Sequence, residues 1–269
     1  MRDYKIGFIG CGKMAKATIK GLIESNKVNS KNIIASKSSE NNIDVLSKEL
    51  GIKIVLDNKF LVQNSDIVII AVKPAQISTI IDDIKNEIDS NKLIISVLAG
   101  VTTNFIETQL KQNVKLIRVM PNTPVSVKEG MIAICGGANA TDSDIEIAQL
   151  LFSSIGKTLI VEESQMDIVT AISGSGPAFF YKVINDIARA GEKLGLDYDK
   201  ALALSIQTAL GSAKMAEKRN ISMEELISNV ATKGGCTRVG VDVMEETGLS
   251  DIFYDVIKNT TQKAKELGN

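Results

Sequence analysis

Lys5-Ile6-Gly7-Phe8-Ile9 runs straight into Gly10-Cys11-Gly12-Lys13-Met14-Ala15, and Lys16 to Glu24 follows with Ile19, Leu22 and Ile23 on one helical face. The stretch reads as strand, G-x-G-x-x-A turn, helix. Glycine-rich turns arise by accident, but a strand before and a helix after are the context that gives this one meaning. Gly10 permits the tight turn, and Gly12 lets backbone N–H groups close on a pyrophosphate. Ala15 is small enough for the helix to pack on the sheet, and the helix N-terminus adds partial positive charge. Gly10, Gly12, Lys13, Met14 and Ala15 are therefore expected to form a dinucleotide-binding turn.

The end of the second strand discriminates between dinucleotides. Asn32-Ile33-Ile34-Ala35-Ser36 is that strand, and Lys37-Ser38-Ser39 follows it. An Asp or Glu here would bind a ribose 2′-hydroxyl, but Glu40 is the nearest acid and stands too late. Hydroxyls beside the ammonium of Lys37 suit a 2′-phosphate. Ser36 and Lys37 thus favour NADPH, with NADH as the alternative and a merely solvated polar loop as the plain reading.

Composition narrows the function classes. The chain has 269 residues, enough for two domains, with 44% hydrophobic and 23% charged residues and a net charge of −1. That balance leaves no electrostatic footprint for nucleic acid or an anionic membrane. The start shows neither a signal pattern nor an apolar stretch of spanning length. Cys11, Cys135 and Cys236 are widely spaced without a C-x-x-C pair, which fits reduced thiols and a cytoplasmic setting and predicts no metal site. There is no histidine at all. Ser-His-Asp and Cys-His nucleophiles are therefore excluded, and so is an imidazole proton relay. A dehydrogenase built this way must use Lys, Tyr, Thr, carboxylate or water, or a substrate that brings its own proton, as an iminium does.

Further along, strands and helices alternate. Strands are expected at Ile52–Leu56, Asp66–Val72, Leu93–Leu98, Leu116–Met120, Met131–Cys135 and Thr158–Val161. Helices are expected at Asn42–Leu50, Asn58–Asn64, Ile77–Asp89, Thr103–Leu110 (with a threonine cap) and Asp142–Ser153. This is an α/β, Rossmann-like doubly wound sheet. Lys73-Pro74 stops one strand at its carboxyl end, where such sheets bind ligands. Past about residue 164 strand signals cease. Met166–Leu194 is helical but interrupted at Ser173-Gly174-Ser175-Gly176-Pro177, where proline forces a kink or break. Helices follow at Tyr198–Glu217, Met223–Val230, Val239–Glu246 and Leu249–Leu267. The expected division is a dinucleotide-binding domain at 1–163 and an all-α domain at 164–269. Tyr198–Glu217 is apolar nearly all round, so a second subunit is the natural source of its cover.

The chemical loop of the helical half is Val230-Ala231-Thr232-Lys233-Gly234-Gly235-Cys236-Thr237. Paired glycines ahead of a helix free N–H groups for an anion such as a carboxylate. On spacing alone the plain reading is the stronger, with Thr237 only an N-cap and the glycines only a loop. Lys182-Val183-Ile184-Asn185 offers a rival: its K-x-x-N spacing is that of β-hydroxyacid dehydrogenases, with Lys182 catalytic. A non-enzymatic NADP-sensing module is the other alternative.

Taken together, Gly10 to Ala15, Ala71-Val72-Lys73-Pro74, Met120-Pro121-Asn122-Thr123-Pro124, Ser173-Gly174-Ser175-Gly176-Pro177-Ala178 and Gly234-Gly235-Cys236-Thr237 resemble the pyrroline-5-carboxylate reductase family, in order, from residue 6 to about 250. Family members more often carry Ser-Pro-Gly-Gly where this chain has Thr232-Lys233-Gly234-Gly235. The resemblance implies reduction of the cyclic imine 1-pyrroline-5-carboxylate to L-proline with NADPH or NADH. It implies a carboxylate held by Gly234, Gly235, Cys236 and Thr237, with Ser175 also on the substrate, and the Thr237 hydroxyl at the ring nitrogen. It adds Asn58, Val72, Lys73, Pro74 and Ala99 to the cofactor groove. It also implies a homodimer of interleaved helical domains, commonly assembled into a ring of ten.

Overall fold

The computed structural model describes residues 4–110, 113–218 and 221–267. Among these the strands are β1 (Ile6–Ile9), β2 (Ile33–Ser36), β3 (Lys53–Val55), β4 (Ile67–Ile70), β5 (Leu93–Ser96), β6 (Lys115–Met120), β7 (Gly130–Gly136) and β8 (Gly156–Ile160). They form one sheet in the order β3-β2-β1-β4-β5-β6-β7-β8. All neighbours pair in parallel except β6 and β7, which a short connection through Thr123–Val127 makes antiparallel. The order reverses between β1 and β4, and such a switch point opens a crevice at the carboxyl ends of the strands.

The apolar strands are buried on both faces, as their unbroken Val/Ile runs require. Successive side chains alternate, so Ile67 and Ile69 enter one layer with Ile6, Phe8, Ile33 and Ile117, while Val68 and Ile70 enter the other with Ile9, Ile94 and Leu116. Helix α1 (Lys13–Glu24) covers the first layer through Ala15, Ile19 and Leu22, and α6 (Asp142–Phe152) through Ala148, Leu151 and Phe152. The second layer is covered by α3 (Asn58–Gln63), α4 (Ile77–Ile84) and α5 (Thr103–Leu110). Between them in sequence lies α2 (Ile43–Leu50). The expected threonine cap of α5 shifts by one residue. It is the Thr102 hydroxyl that accepts from the Phe105 N–H, at 3.2 Å, and Thr103 is already helical.

The expected interruption near Pro177 takes a defined form. Helix α7 (Met166–Val169) passes into a π-helical turn, Thr170–Gly174, closed by the Ser175 N–H on the Thr170 carbonyl at 2.9 Å. A new helix, α8 (Gly176–Lys193), then begins with Pro177 in its first turn, where a missing N–H costs nothing. By internal packing the chain divides into two units. One runs to Ser175 and takes in the stretch from Thr260; the other is Gly176–Asn259.

The second unit is helical: α8, α9 (Tyr198–Glu217), α10 (Met223–Val230), α11 (Cys236–Glu246) and most of α12 (Leu249–Glu266). Within it α8 packs on α9, with the Tyr198 hydroxyl donating to Asn185 at 3.0 Å and the Arg189 guanidinium 4.3 Å over the Tyr198 ring. Only Ala201 and Ser205 of α9 are buried. Leu204, Ile206, Leu210 and Met215 are exposed, as are Phe180, Tyr181 and Ile187 of α8.

Candidate active site

β1 ends at Ile9 and the chain turns at Gly10 with φ of +97°, a state that glycine enters without a Cβ penalty. A Cβ there would stand 2.6 Å from the Ala71 carbonyl oxygen, so only glycine brings the turn this close to the end of β4. Gly12 is the N-cap of α1, and a Cβ at this position would meet nothing within 4 Å. The helix has no capping side chain and no acid in its first turn. Its leading amides, which lack intrahelical partners, therefore stay available to an anion at the positive end of the dipole.

That turn forms one wall of a cavity of about 480 Å³ at the switch point. The structure brings Gly10, Gly12, Lys13, Met14, Ser36, Lys37, Asn58, Val72 and Lys73 together on its lining. Ala15 packs α1 on the sheet layer, as its size suggested. Pro74 and Ala99 are not on the lining: Pro74 opens a short 3-10 helix directly after Lys73, and Ala99 packs beside Met120, Cys135 and Met166. Ser38, one of the hydroxyls expected beside Lys37, is on the lining, as are Cys11 of the glycine turn and three residues the sequence does not single out, Leu56, Gln76 and Ile80. Leu56 directly follows β3, and that strand end is the signal that could have found it. Burial holds the Cys11 thiol above its usual range, against the pull of Lys16 and Lys37, and it faces the cavity uncharged.

Ser36 does more than line the wall. It is buried, its hydroxyl donates to Asn58 at 2.6 Å and accepts from the Gly10 N–H at 3.4 Å, and Asn58 in turn donates to Asp83 at 3.1 Å. The hydroxyl expected to read a 2′-phosphate is thus already engaged in tying β2 to the glycine turn. Lys37 and Ser38 sit beyond it; the Lys37 ammonium donates to the Asn41 carbonyl and Ser38 is exposed. All three residues line the cavity, with Ser36 buried and Ser38 exposed.

The second unit holds the other cluster. Gly234 has φ of +79°, and Gly235 is the N-cap of α11 with no side-chain cap. Helix α11 starts at Cys236, earlier than the expected Val239, so Thr237 lies inside its first turn and is not the N-cap. Its hydroxyl is exposed with the loop around it. Again the first turn carries no acid, and uncapped amides at a helix start suit a carboxylate. Ser175, also expected at the substrate, is the last residue of the first unit before α8.

The whole chain was then compared with known proteins. Residues 163–267 match a family model described as pyrroline-5-carboxylate reductase dimerisation, and residues 5–100 match one described as NADP oxidoreductase coenzyme F420-dependent. A pyrroline-5-carboxylate reductase of Methanosarcina acetivorans is 41% identical over 100% of this chain and 99% of its own length. Among solved structures, the Plasmodium falciparum pyrroline carboxylate reductase with NADP bound is 31% identical with a TM-score of 0.90, and each chain covers 100% of the other. The Coxiella burnetii pyrroline-5-carboxylate reductase is 32% identical with a TM-score of 0.93 over 100% of both chains. The chain belongs to the pyrroline-5-carboxylate reductase family. Family membership over the full length sets aside both rival readings, and the structure adds a local reason against one. Lys182 is exposed and ion-paired with Asp186 one turn on within α8, and Asn185 is taken by Tyr198 of α9. Among the described residues no helix is long and apolar enough to cross a membrane.

Proposed function

We propose that this chain reduces 1-pyrroline-5-carboxylate to L-proline with NADPH as the preferred dinucleotide, NADH serving less well. The observation that carries the reading is the glycine turn, with its uncapped helix opening on a cavity of dinucleotide character, in a chain related end to end to reductases of this name. The cradle fits the cofactor: Gly12 lies on the cavity lining with open space beside it, and the α1 amides answer a pyrophosphate. Lys37 and Ser38 would take the 2′-phosphate, the ammonium as counter-charge and the hydroxyl as donor. Gly10, Lys13, Met14, Asn58, Val72 and Lys73 would complete the groove. When bound, the reduced nicotinamide supplies the two electrons and the hydrogen that saturate the imine carbon.

The rest falls to orientation. The amides at Gly234, Cys236 and Thr237 would hold the substrate carboxylate, the Gly235 N–H being engaged by the Thr232 carbonyl at 3.0 Å, and the Thr237 hydroxyl would hydrogen-bond the ring nitrogen. A threonine hydroxyl does not titrate near neutrality, so its part is to fix the ring while the iminium carries its own proton. A chain without histidine is adequate for that chemistry. Exposed apolar faces on α8 and α9 support a homodimer of interleaved helical domains, with a ring of ten as the larger assembly, and three free thiols support a cytoplasmic setting. The test is imine reduction followed by loss of reduced-nicotinamide absorbance with each cofactor, alongside a 3-hydroxy acid control. Turnover of the hydroxy acid alone, or of neither substrate, would overturn the reading.

A further inference from the structure

Behind the sheet's carboxyl edge lies an ionic group that neither the cofactor cavity nor the Gly234–Thr237 loop uses. Arg118 on β6 is 1% exposed. One terminal nitrogen donates to Glu163 Oε1 at 2.5 Å, while the other stands 3.9 Å from Asp167, and Nε and Nη2 have no hydrogen-bond partner among the described residues. The same carboxylate accepts from the Cys135 thiol at 3.1 Å and from the Thr103 N–H at 3.4 Å. Cys135 is the register partner of Arg118 across β6 and β7. One carboxylate thus joins α5, β6 and β7 to the connection after β8.

A buried guanidinium with unsatisfied N–H groups is a poor way to gain stability, since apolar replacement of such a pair is often neutral or better. What it does supply is direction. The planar fork accepts a carboxylate in few orientations, and Glu163 and Asp167 flank the start of α7, which leads through the π-turn to Ser175. A second tie holds the far end of that segment: the Asn122 side chain donates to the Ser173 carbonyl at 3.1 Å and accepts from the Met131 N–H at 2.9 Å.

We propose that Arg118 is a positioning residue for imine reduction, acting through Glu163 and Asp167 to fix the Glu163–Ser175 connector from which the helical unit departs. The inference rests on the reading given under the proposed function. Its test uses the full-length enzyme and four readouts: kcat, KM for pyrroline-5-carboxylate, NADPH affinity by fluorescence titration, and melting temperature. Arg118→Met alone leaves Glu163 unpaired and is expected to lower both melting temperature and kcat. Arg118→Met with Glu163→Gln removes the charge imbalance. It is expected to regain the melting temperature and to hold NADPH affinity within about twofold, while kcat stays about tenfold or more below wild type, because an orientation has been lost rather than a charge pair. Glu163→Gln alone keeps an acceptor for the buried guanidinium but removes its bonded counter-charge, so it should lower the melting temperature while losing only about two- to fivefold in kcat, with the imine KM unchanged. A double variant with wild-type kcat, or one whose NADPH affinity falls as far as its kcat, overturns the inference. Should the double variant not fold, wild-type kcat in Glu163→Gln overturns it equally. A wild-type protein that binds NADPH but does not reduce the imine fails the functional reading itself, and this inference with it; an active wild type isolates the positioning claim.

Discussion

At the scale of single residues, three hydroxyls that look alike in sequence are separated by their surroundings. Ser36 is buried and bonded to both Asn58 and the Gly10 N–H, Ser38 is exposed on the cavity, and Thr237 stands in the first turn of α11. Ser36→Ala is therefore expected to loosen the glycine turn and weaken NADPH and NADH alike, by about three- to tenfold. Lys37→Ala is expected to weaken NADPH about tenfold and leave NADH nearly unchanged, since it removes a counter-charge that only the 2′-phosphate needs. Titration of the four enzyme–cofactor pairs checks both; equal losses in Lys37→Ala would take residue 37 out of 2′-recognition. Because Gly235 is the N-cap, Thr237→Ala removes no cap. It should lower kcat/KM about tenfold or more with the melting temperature unchanged, through loss of one directed hydrogen bond to the ring nitrogen. Wild-type kinetics would leave the hydroxyl without a role. The glycine turn was legible from residue order alone, because Gly, Ala and a strand–helix context have few other uses, whereas Thr237 stood out only through the family resemblance. Which serine is engaged was not legible, since the partners of Ser36, Gly10 and Asn58, are far from it in sequence.

At the scale of elements, the strands announced themselves, and most helix starts did too: α3, α4, α5, α6, α9, α10 and α12 begin at the expected residue, and α11 is the main exception. Continuous Val/Ile runs leave little choice of state, and the expected strands all appear, with ends displaced by a residue or two. Helix α11 was expected from Val239 because Gly234 and Gly235 break the apolar period, yet the helix opens immediately after them at Cys236. The π-turn at Thr170–Gly174 had no sequence signal except the neighbouring Gly-Pro, which showed only that something must give way. The anchor of that segment was also invisible, since Arg118 lies within an apolar strand and its carboxylate partner is far along the chain. Burial raises the Glu163 pKa, but hydrogen bonds from Cys135 and Arg118, with the Arg118 charge, outweigh it and leave the carboxyl below its ordinary value. A carboxyl depressed in the folded state adds stability that is complete above its unfolded value, near 4.5, and is lost as pH falls through the lower folded value. Wild-type stability should therefore fall in acid below that point with a contribution that Glu163→Gln lacks. Urea midpoints taken between neutral and acid pH check this; parallel curves for the two proteins would show that Glu163 does not carry it.

At the scale of the whole molecule, the helical unit displays what a single chain normally hides. Leu204 is 61% exposed, Leu210 47%, Phe180 68% and Tyr181 63%, on two adjacent helices. Soluble monomers rarely carry contiguous apolar faces of that kind, and such faces mark association surfaces. The match of residues 163–267 to a dimerisation family agrees with this. Apolar helices exchanged between two chains would bury more than the ~1,600 Å² of a standard reversible contact, so dissociation and unfolding should be coupled. The expected outcome is a dimer or larger species by sedimentation at the lowest measurable concentration, and a melting temperature that rises with protein concentration. Leu204→Glu places a charge in the proposed interface, where burying it unpaired is costly. It should give a species that is smaller, less stable and without imine reduction, yet still able to bind NADPH through the intact glycine turn. An active, well-folded monomer, from either the wild type on dilution or the variant, would refute the interleaved dimer and leave the apolar faces of α8 and α9 unexplained.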